Sequence, residues 1–82
     1  MFTAMYVVAL LGWSPGYVPN RLAEALRRHG YSLADAFRLS TQLAEGAQVA
    51  LPFATLEAAD HFAREARGLD IRLEIRLPAA AG

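Results

Sequence analysis

The chain has 82 residues, 55% of them hydrophobic and 20% charged, and its eight arginines and eight acids give a formal net charge of zero. This composition predicts one small globular domain and excludes a disordered chain. With no cysteine, disulfides and thiolate metal sites are excluded, and zero net charge gives no overall field that favours nucleic acid or an anionic membrane. We therefore expect a cytoplasmic protein, and the apolar residues 1–11 are too few to span a bilayer.

The first predicted strand covers residues 6–11, Tyr-Val-Val-Ala-Leu-Leu, whose unbroken apolar character is typical of a strand at the centre of its sheet. Residues 12–17, Gly-Trp-Ser-Pro-Gly-Tyr, contain two glycines and a proline and predict a loop. This loop carries both Trp13 and Tyr17.

Two helices follow. The first begins at Pro19 and ends at Gly30, and its predicted buried stripe consists of Leu22, Ala25, Leu26 and His29. The second is capped by Ser32, with Asp35 in the capping-box position, and ends at Gly46. Its predicted buried stripe consists of Leu33, Ala36, Phe37, Ser40 and Leu43 or Ala44.

The second predicted strand covers residues 48–53, with Val49 and Leu51 facing inward and with Pro52 indicating an edge position. The third helix is capped by Thr55 and ends at Gly68, and we expect its Phe62 at the centre of the core. The other members of its buried stripe are Ala59, Ala63 and Ala66.

The last strand, residues 69–77, alternates strictly between apolar and charged side chains. Ile71, Leu73, Ile75 and Leu77 fall on one face, and Asp70, Arg72, Glu74 and Arg76 fall on the other. The domain is thus predicted to cover residues 1–77, with residues 78–82 as a flexible tail.

The order strand, helix, helix, strand, helix, strand predicts an α+β two-layer sandwich. A right-handed crossover leaves the second and third strands parallel, with the first strand between them. The prediction is a three-stranded, mostly antiparallel sheet with all three helices on one face.

This pattern resembles the ClpS-type adaptor fold, which the C-terminal domain of the bacterial ribosomal stalk protein shares. The resemblance rests on Tyr6-Val7-Val8-Ala9-Leu10-Leu11, on Leu33-Ala34-Asp35-Ala36 and on Glu57-Ala58-Ala59. It implies a non-enzymatic domain that binds a protein or peptide. Gly12, Trp13 and Ser14 stand where the adaptors have an acidic, asparagine-led loop, and Ala44 and Glu45 stand near the place of their pocket histidine.

The candidate partner-binding residues are Trp13, Tyr17, Arg21, Arg27, Arg28 and Arg38. The two aromatic residues are either an anchor for a partner or, in the case of Trp13, a lid on the core. The arginines form either a basic patch that docks an acidic partner or phosphate, or a solvated face with local pairs such as those of Glu24 with Arg27 or Arg28.

His29 and His61 are the candidates for a metal ligand or general base, but neither has a histidine or cysteine at ligand spacing. We therefore predict no catalytic residue, no metal and no cofactor. A homodimer through an exposed sheet edge stays possible on this sequence. The alternatives are a ferredoxin-like small-molecule sensor, which would need a strand in place of the second helix, and a structural subunit of a homo-oligomer.

Overall fold

The computed structural model describes residues 5–78. Its elements are β1 (Tyr6–Trp13), α1 (Pro19–Arg28), α2 (Leu33–Ala44), β2 (Val49–Phe53), α3 (Leu56–Arg67) and β3 (Ile71–Arg76). The predicted element order is confirmed. Of the predicted tail, residues 79–82 lie outside the described residues, as do residues 1–4 of the predicted domain.

The sheet has the order β2-β1-β3, and β1 is antiparallel to both neighbours. The apolar run of β1 therefore lies at the centre, as predicted, and Pro52 lies on an edge strand, where a missing backbone donor costs little. Residues 33–44 are helical, which excludes the ferredoxin-like order. None of the helices within residues 5–78 has the length and apolar character needed to cross a bilayer.

One face of the sheet carries the core. Val8 and Leu10 lie opposite Leu51 and Val49 on one side and opposite Ile75 and Leu73 on the other. The helices cover this face with buried residues, of which Phe62 is the largest that is fully buried. Arg72, Glu74 and Arg76 of β3 are exposed, as the alternation predicts.

Local chemistry sets the helix ends. Ser32 Oγ accepts a hydrogen bond from the Asp35 backbone N–H, and Thr55 Oγ1 accepts one from Ala58, each at 3.1 Å. These bonds satisfy backbone donors that have no partner within the helix. Gly30 has a φ of 97°, a left-handed conformation that glycine adopts without a steric penalty.

Three predictions were wrong in detail. Gly12 and Trp13 belong to β1 and not to the loop, because the strand continues past a β-bulge between Leu10 and Gly12. β3 covers Ile71–Arg76 and not residues 69–77. Asp70 has a left-handed φ of 62° that breaks the extended conformation, and Leu77, which was predicted on the apolar face, is 68% exposed.

The third error concerns α2. Leu33 and Phe37 were predicted to be buried, but they are 62% and 61% exposed. The core side of α2 is formed by Ala36, Ser40 and Leu43 instead. Phe37 lies about 100° round the helix from Ala36, so the two residues cannot both face the centre of the sheet.

Candidate functional site

Tyr17 is fixed to the body of the domain. Its ring packs against the core, and its hydroxyl donates a 2.9 Å hydrogen bond to the backbone carbonyl of Ser40 on α2. Burial raises the pKa of Tyr17 to about 12. The polar end of this predicted partner-binding residue is therefore already engaged within the protein.

Trp13 lies at the end of the sheet on the face that carries the core. The bulge in β1 leaves Leu11 without a partner in β3, so that Gly12 lies opposite Arg72 and Trp13 opposite Ile71. Directly opposite residues project to the same face, and Ile71 is buried on the core face. Without the extra residue, Trp13 would project to the other face.

The ring of Trp13 is only partly covered. Its centroid is 6.1 Å from that of Tyr17, with an interplanar angle of 30°, and the residue is 43% exposed. Trp13 thus lies at the margin of the core and still presents a substantial surface to solvent.

A groove runs between the outer faces of α1 and α2. Leu33 and Phe37 form its apolar part, and its volume is about 240 Å³. The residues of α1 that line it are Asn20, Ala23, Glu24 and Arg27. The groove therefore combines two exposed apolar side chains with a polar rim, an arrangement typical of the surfaces that bind protein partners.

The structure does not bring the four predicted arginines together. Arg27 is exposed and lines the groove, and Arg21 is exposed near the start of α1. Arg28 pairs with Glu65 of α3, with 2.9 Å between Nη2 and Oε2, and Arg38 pairs with Asp35 at 3.2 Å. Arg27 is thus the predicted arginine that lines the groove, and Arg28 belongs to a second group of side chains.

That second group, the histidine group, joins the end of α1 to α3. It consists of Arg28, His29, His61 and Glu65. Oε1 of Glu65 lies 3.1 Å from Nε2 of His29 and 3.2 Å from Nε2 of His61. The rings of the two histidines have a centroid separation of 5.6 Å. The hydrogen bond from Arg28 lowers the pKa of the Glu65 carboxyl, and hydrogen bonding and charge from His29 act in the same direction against the opposing effect of burial. Glu65 is therefore held in its ionised form.

A surface depression of about 570 Å³ lies at the start of α3. Thr55, Leu56, Glu57 and Asp60 line it. Its two carboxylates disfavour an anion at this helix N-terminus.

The exposed apolar pair on α2 and the proximity of the two histidines were not predicted from the sequence, for different reasons. Leu33 and Phe37 have the i, i+4 spacing of a helix stripe, and that spacing alone does not say whether the stripe faces the core or solvent. His29 and His61 are far apart in the sequence, and only the packing of α1 beside α3 brings them together. The i, i+4 spacing of His61 and Glu65 was the available signal for that site.

Comparisons with protein-family models, with curated proteins and with solved structures found no match for this chain. The resemblance to ClpS-type adaptors therefore stays a prediction, which rests on element order and apolar spacing.

Proposed function

We propose that this chain is a non-enzymatic protein-interaction domain that binds an acidic, amphipathic segment of a partner protein in the groove between α1 and α2. The observation that carries the proposal is the exposure of Leu33 and Phe37, at 62% and 61%, side by side on α2 and next to Arg27. Burial of two such side chains under a partner contributes about 1.5–3 kcal/mol each when it is complete.

The distribution of charge favours an acidic partner. Residues 19–44, which include α1 and α2, carry four arginines and two acids, whereas the rest of the chain carries four arginines and six acids. The zero net charge of the whole chain therefore conceals a positive helical pair beside a negative remainder. An acidic segment is therefore attracted more to the helical pair than to the rest of the chain taken together.

Two serine hydroxyls already have structural roles, which supports the proposal that this domain is not an enzyme. Ser32 caps α2, and Ser40 Oγ donates a 2.9 Å hydrogen bond to the Phe37 carbonyl. Trp13 is a proposed second contact, because it is 43% exposed and the loop after it leads to the start of α1, where Asn20 lines the groove.

The test is a selection from a random 16-residue peptide display library, followed by affinity measurements on the selected peptides. We expect peptides with two large apolar residues at i, i+3 or i+4 spacing among aspartates and glutamates. Phe37→Ala should weaken the binding of such a peptide by about tenfold or more, and Arg27→Glu should do the same through charge repulsion. Arg76→Glu is the matched control, because Arg76 lies on the opposite side of the domain and carries the same charge.

Two results would overturn the proposal. One is a selected peptide that binds wild-type protein and Phe37→Ala equally well. The other is concentration-dependent self-association of the wild-type chain, measured by analytical ultracentrifugation, that Phe37→Ala abolishes. That second result would assign the groove to a second copy of this chain.

A further inference from the structure

We propose that His29, His61 and Glu65 form a binding site for a divalent transition-metal ion of the Zn²⁺ class. One ligand atom from each residue lies within 4.8 Å of the other two. The site joins the C-terminal end of α1, where His29 is the cap residue, to the middle of α3. It is separate from the groove between α1 and α2 and does not depend on the proposed function.

Two of the three distances between ligand atoms are close to those of a tetrahedral site. Ligand atoms that each lie about 2.0–2.1 Å from Zn²⁺ are about 3.3 Å from one another. Oε1 of Glu65 lies 3.1 Å from Nε2 of His29 and 3.2 Å from Nε2 of His61. Two of the three ligand-to-ligand separations are therefore already close to the edge of such a tetrahedron. All three ligand atoms lie within 4.8 Å of one another, and the side chain of His61, which is 72% exposed, has room to move towards His29.

The surroundings hold two of the ligands in place. The ring of His29 is only 16% exposed and lies edge-on to Phe62, with centroids 5.1 Å apart and planes at 90°. The Arg28 guanidinium holds Oε2 of Glu65 at 2.9 Å and leaves Oε1 for the ion. Partners of this kind, which orient a ligand from outside the coordination sphere, are a regular part of metal sites.

The chemistry of the ligands selects the metal. Two imidazoles and one carboxylate suit Zn²⁺ and its neighbours in the first transition row, whereas Ca²⁺ and Mg²⁺ prefer oxygen ligands alone. The negative end of the α1 dipole favours a cation at His29. The positive charge of Arg28 opposes the ion, but this side chain is 62% exposed and its field is screened by water. Three protein ligands leave one coordination position to solvent.

The test uses the chain without a histidine tag, after chelation and dialysis, in titrations with Zn²⁺ by calorimetry and with Co²⁺ by visible absorption. We expect one ion per chain. We also expect a rise in Tm of about 5 °C or more at a free Zn²⁺ concentration ten times Kd. Ca²⁺ should leave Tm unchanged.

The variants change residues outside the buried core, so that a loss of Zn²⁺ binding is not caused by unfolding. His61→Ala and Glu65→Gln should each weaken Zn²⁺ binding by about tenfold or more, since loss of an outer partner alone costs about that much. Asp60→Asn is the matched control, because Asp60 lies beside His61 and pairs with Arg64 instead of with the site. In ¹⁵N NMR spectra, Zn²⁺ should shift the Nε2 resonances of both histidines.

Equal affinity of wild-type protein and His61→Ala for Zn²⁺ would overturn the proposal. So would a stoichiometry above one ion per chain that Asp60→Asn reduces as much as Glu65→Gln does. A Tm increase with Ca²⁺ as large as that with Zn²⁺ would also overturn it.

Discussion

The hydroxyl of Tyr17 donates a hydrogen bond to the backbone carbonyl of Ser40, 23 residues further along the chain, at 2.9 Å. This bond ties the loop after β1 to the middle of α2. It gives a structural role to a residue that the sequence analysis assigned to partner binding.

Tyr17→Phe should lower the free energy of unfolding by about 1 kcal/mol, because it removes the hydroxyl and leaves the Ser40 carbonyl without that donor. Urea unfolding followed by circular dichroism measures the change. Tyr6→Phe is a control with the same change of side chain at a half-buried residue of β1. Equal stability of Tyr17→Phe and wild type would show that water replaces the bond at no cost.

Stability should also decline at alkaline pH. Burial raises the pKa of Tyr17 from 10.0 to about 12, and burial, with a smaller contribution from Asp35, raises that of Tyr31. Since the folded state holds these protons more tightly than the unfolded chain, their contribution is complete below about pH 10 and is lost as the pH rises towards 12. Urea midpoints measured from pH 8 to 11.5 test this. Tyr17→Phe should show a shallower decline, and an identical decline would contradict the assignment to Tyr17.

Truncation of the two phenylalanines of the helices should destabilise the domain to very different extents. Phe62→Ala should cost about 3–5 kcal/mol, because Phe62 is fully buried at the centre of the core. Phe37→Ala should change stability by no more than about 0.5 kcal/mol, because its ring is largely exposed. Chemical denaturation of both variants measures the difference. A large loss in Phe37→Ala would mean that Phe37 packs against the domain in solution.

Trp13→Ala should have an intermediate effect, a loss of about 1–2 kcal/mol, because roughly half of the ring is covered. The measurement is urea unfolding by far-ultraviolet circular dichroism, since Trp13 is the single tryptophan of the chain and its fluorescence disappears in the variant. A loss as large as that in Phe62→Ala would identify Trp13 as a full member of the core. No loss would leave partner binding as its role.

Two glycines should show the cost of backbone strain in the absence of steric overlap. Gly30→Ala should cost about 1 kcal/mol, because alanine is disfavoured at a φ of 97° although no atom lies within 4 Å of the added methyl group. Gly68→Ala should be neutral or stabilising by up to about 1 kcal/mol, since Gly68 has a helical φ of −68° and the nearest atom to the methyl group is 3.4 Å away. Thermal unfolding of the pair tests this, and equal losses would contradict it.

The sequence predicted the fold well because its strongest patterns act locally. The alternation in β3, the caps at Ser32 and Thr55 and the stripe around Phe62 each depend on near neighbours in the chain, and all are confirmed. The sheet order was predicted from the unbroken apolar character of β1 and from the preference for a right-handed crossover between β2 and β3.

The details that sequence did not predict depend on contacts between distant residues. The bulge that turns Trp13 towards the core face is a matter of register between β1 and β3, and Gly12 carries no local sign of it. The histidine group depends on the packing of α1 beside α3. The exposure of Phe37 depends on which stripe of α2 meets the sheet.

The central position of β1 has a consequence for synthesis. Val8 pairs with Leu51 and with Ile75, each more than half the chain away, so this domain is dominated by non-local contacts at its centre. At ribosomal rates of about 5–20 residues per second, β1 is made roughly 3 to 13 s before β3, the strand that completes its sheet. During that interval its backbone donors and acceptors are open to other chains. The strand that holds the finished domain together is therefore the part of the nascent chain that most needs protection from aggregation.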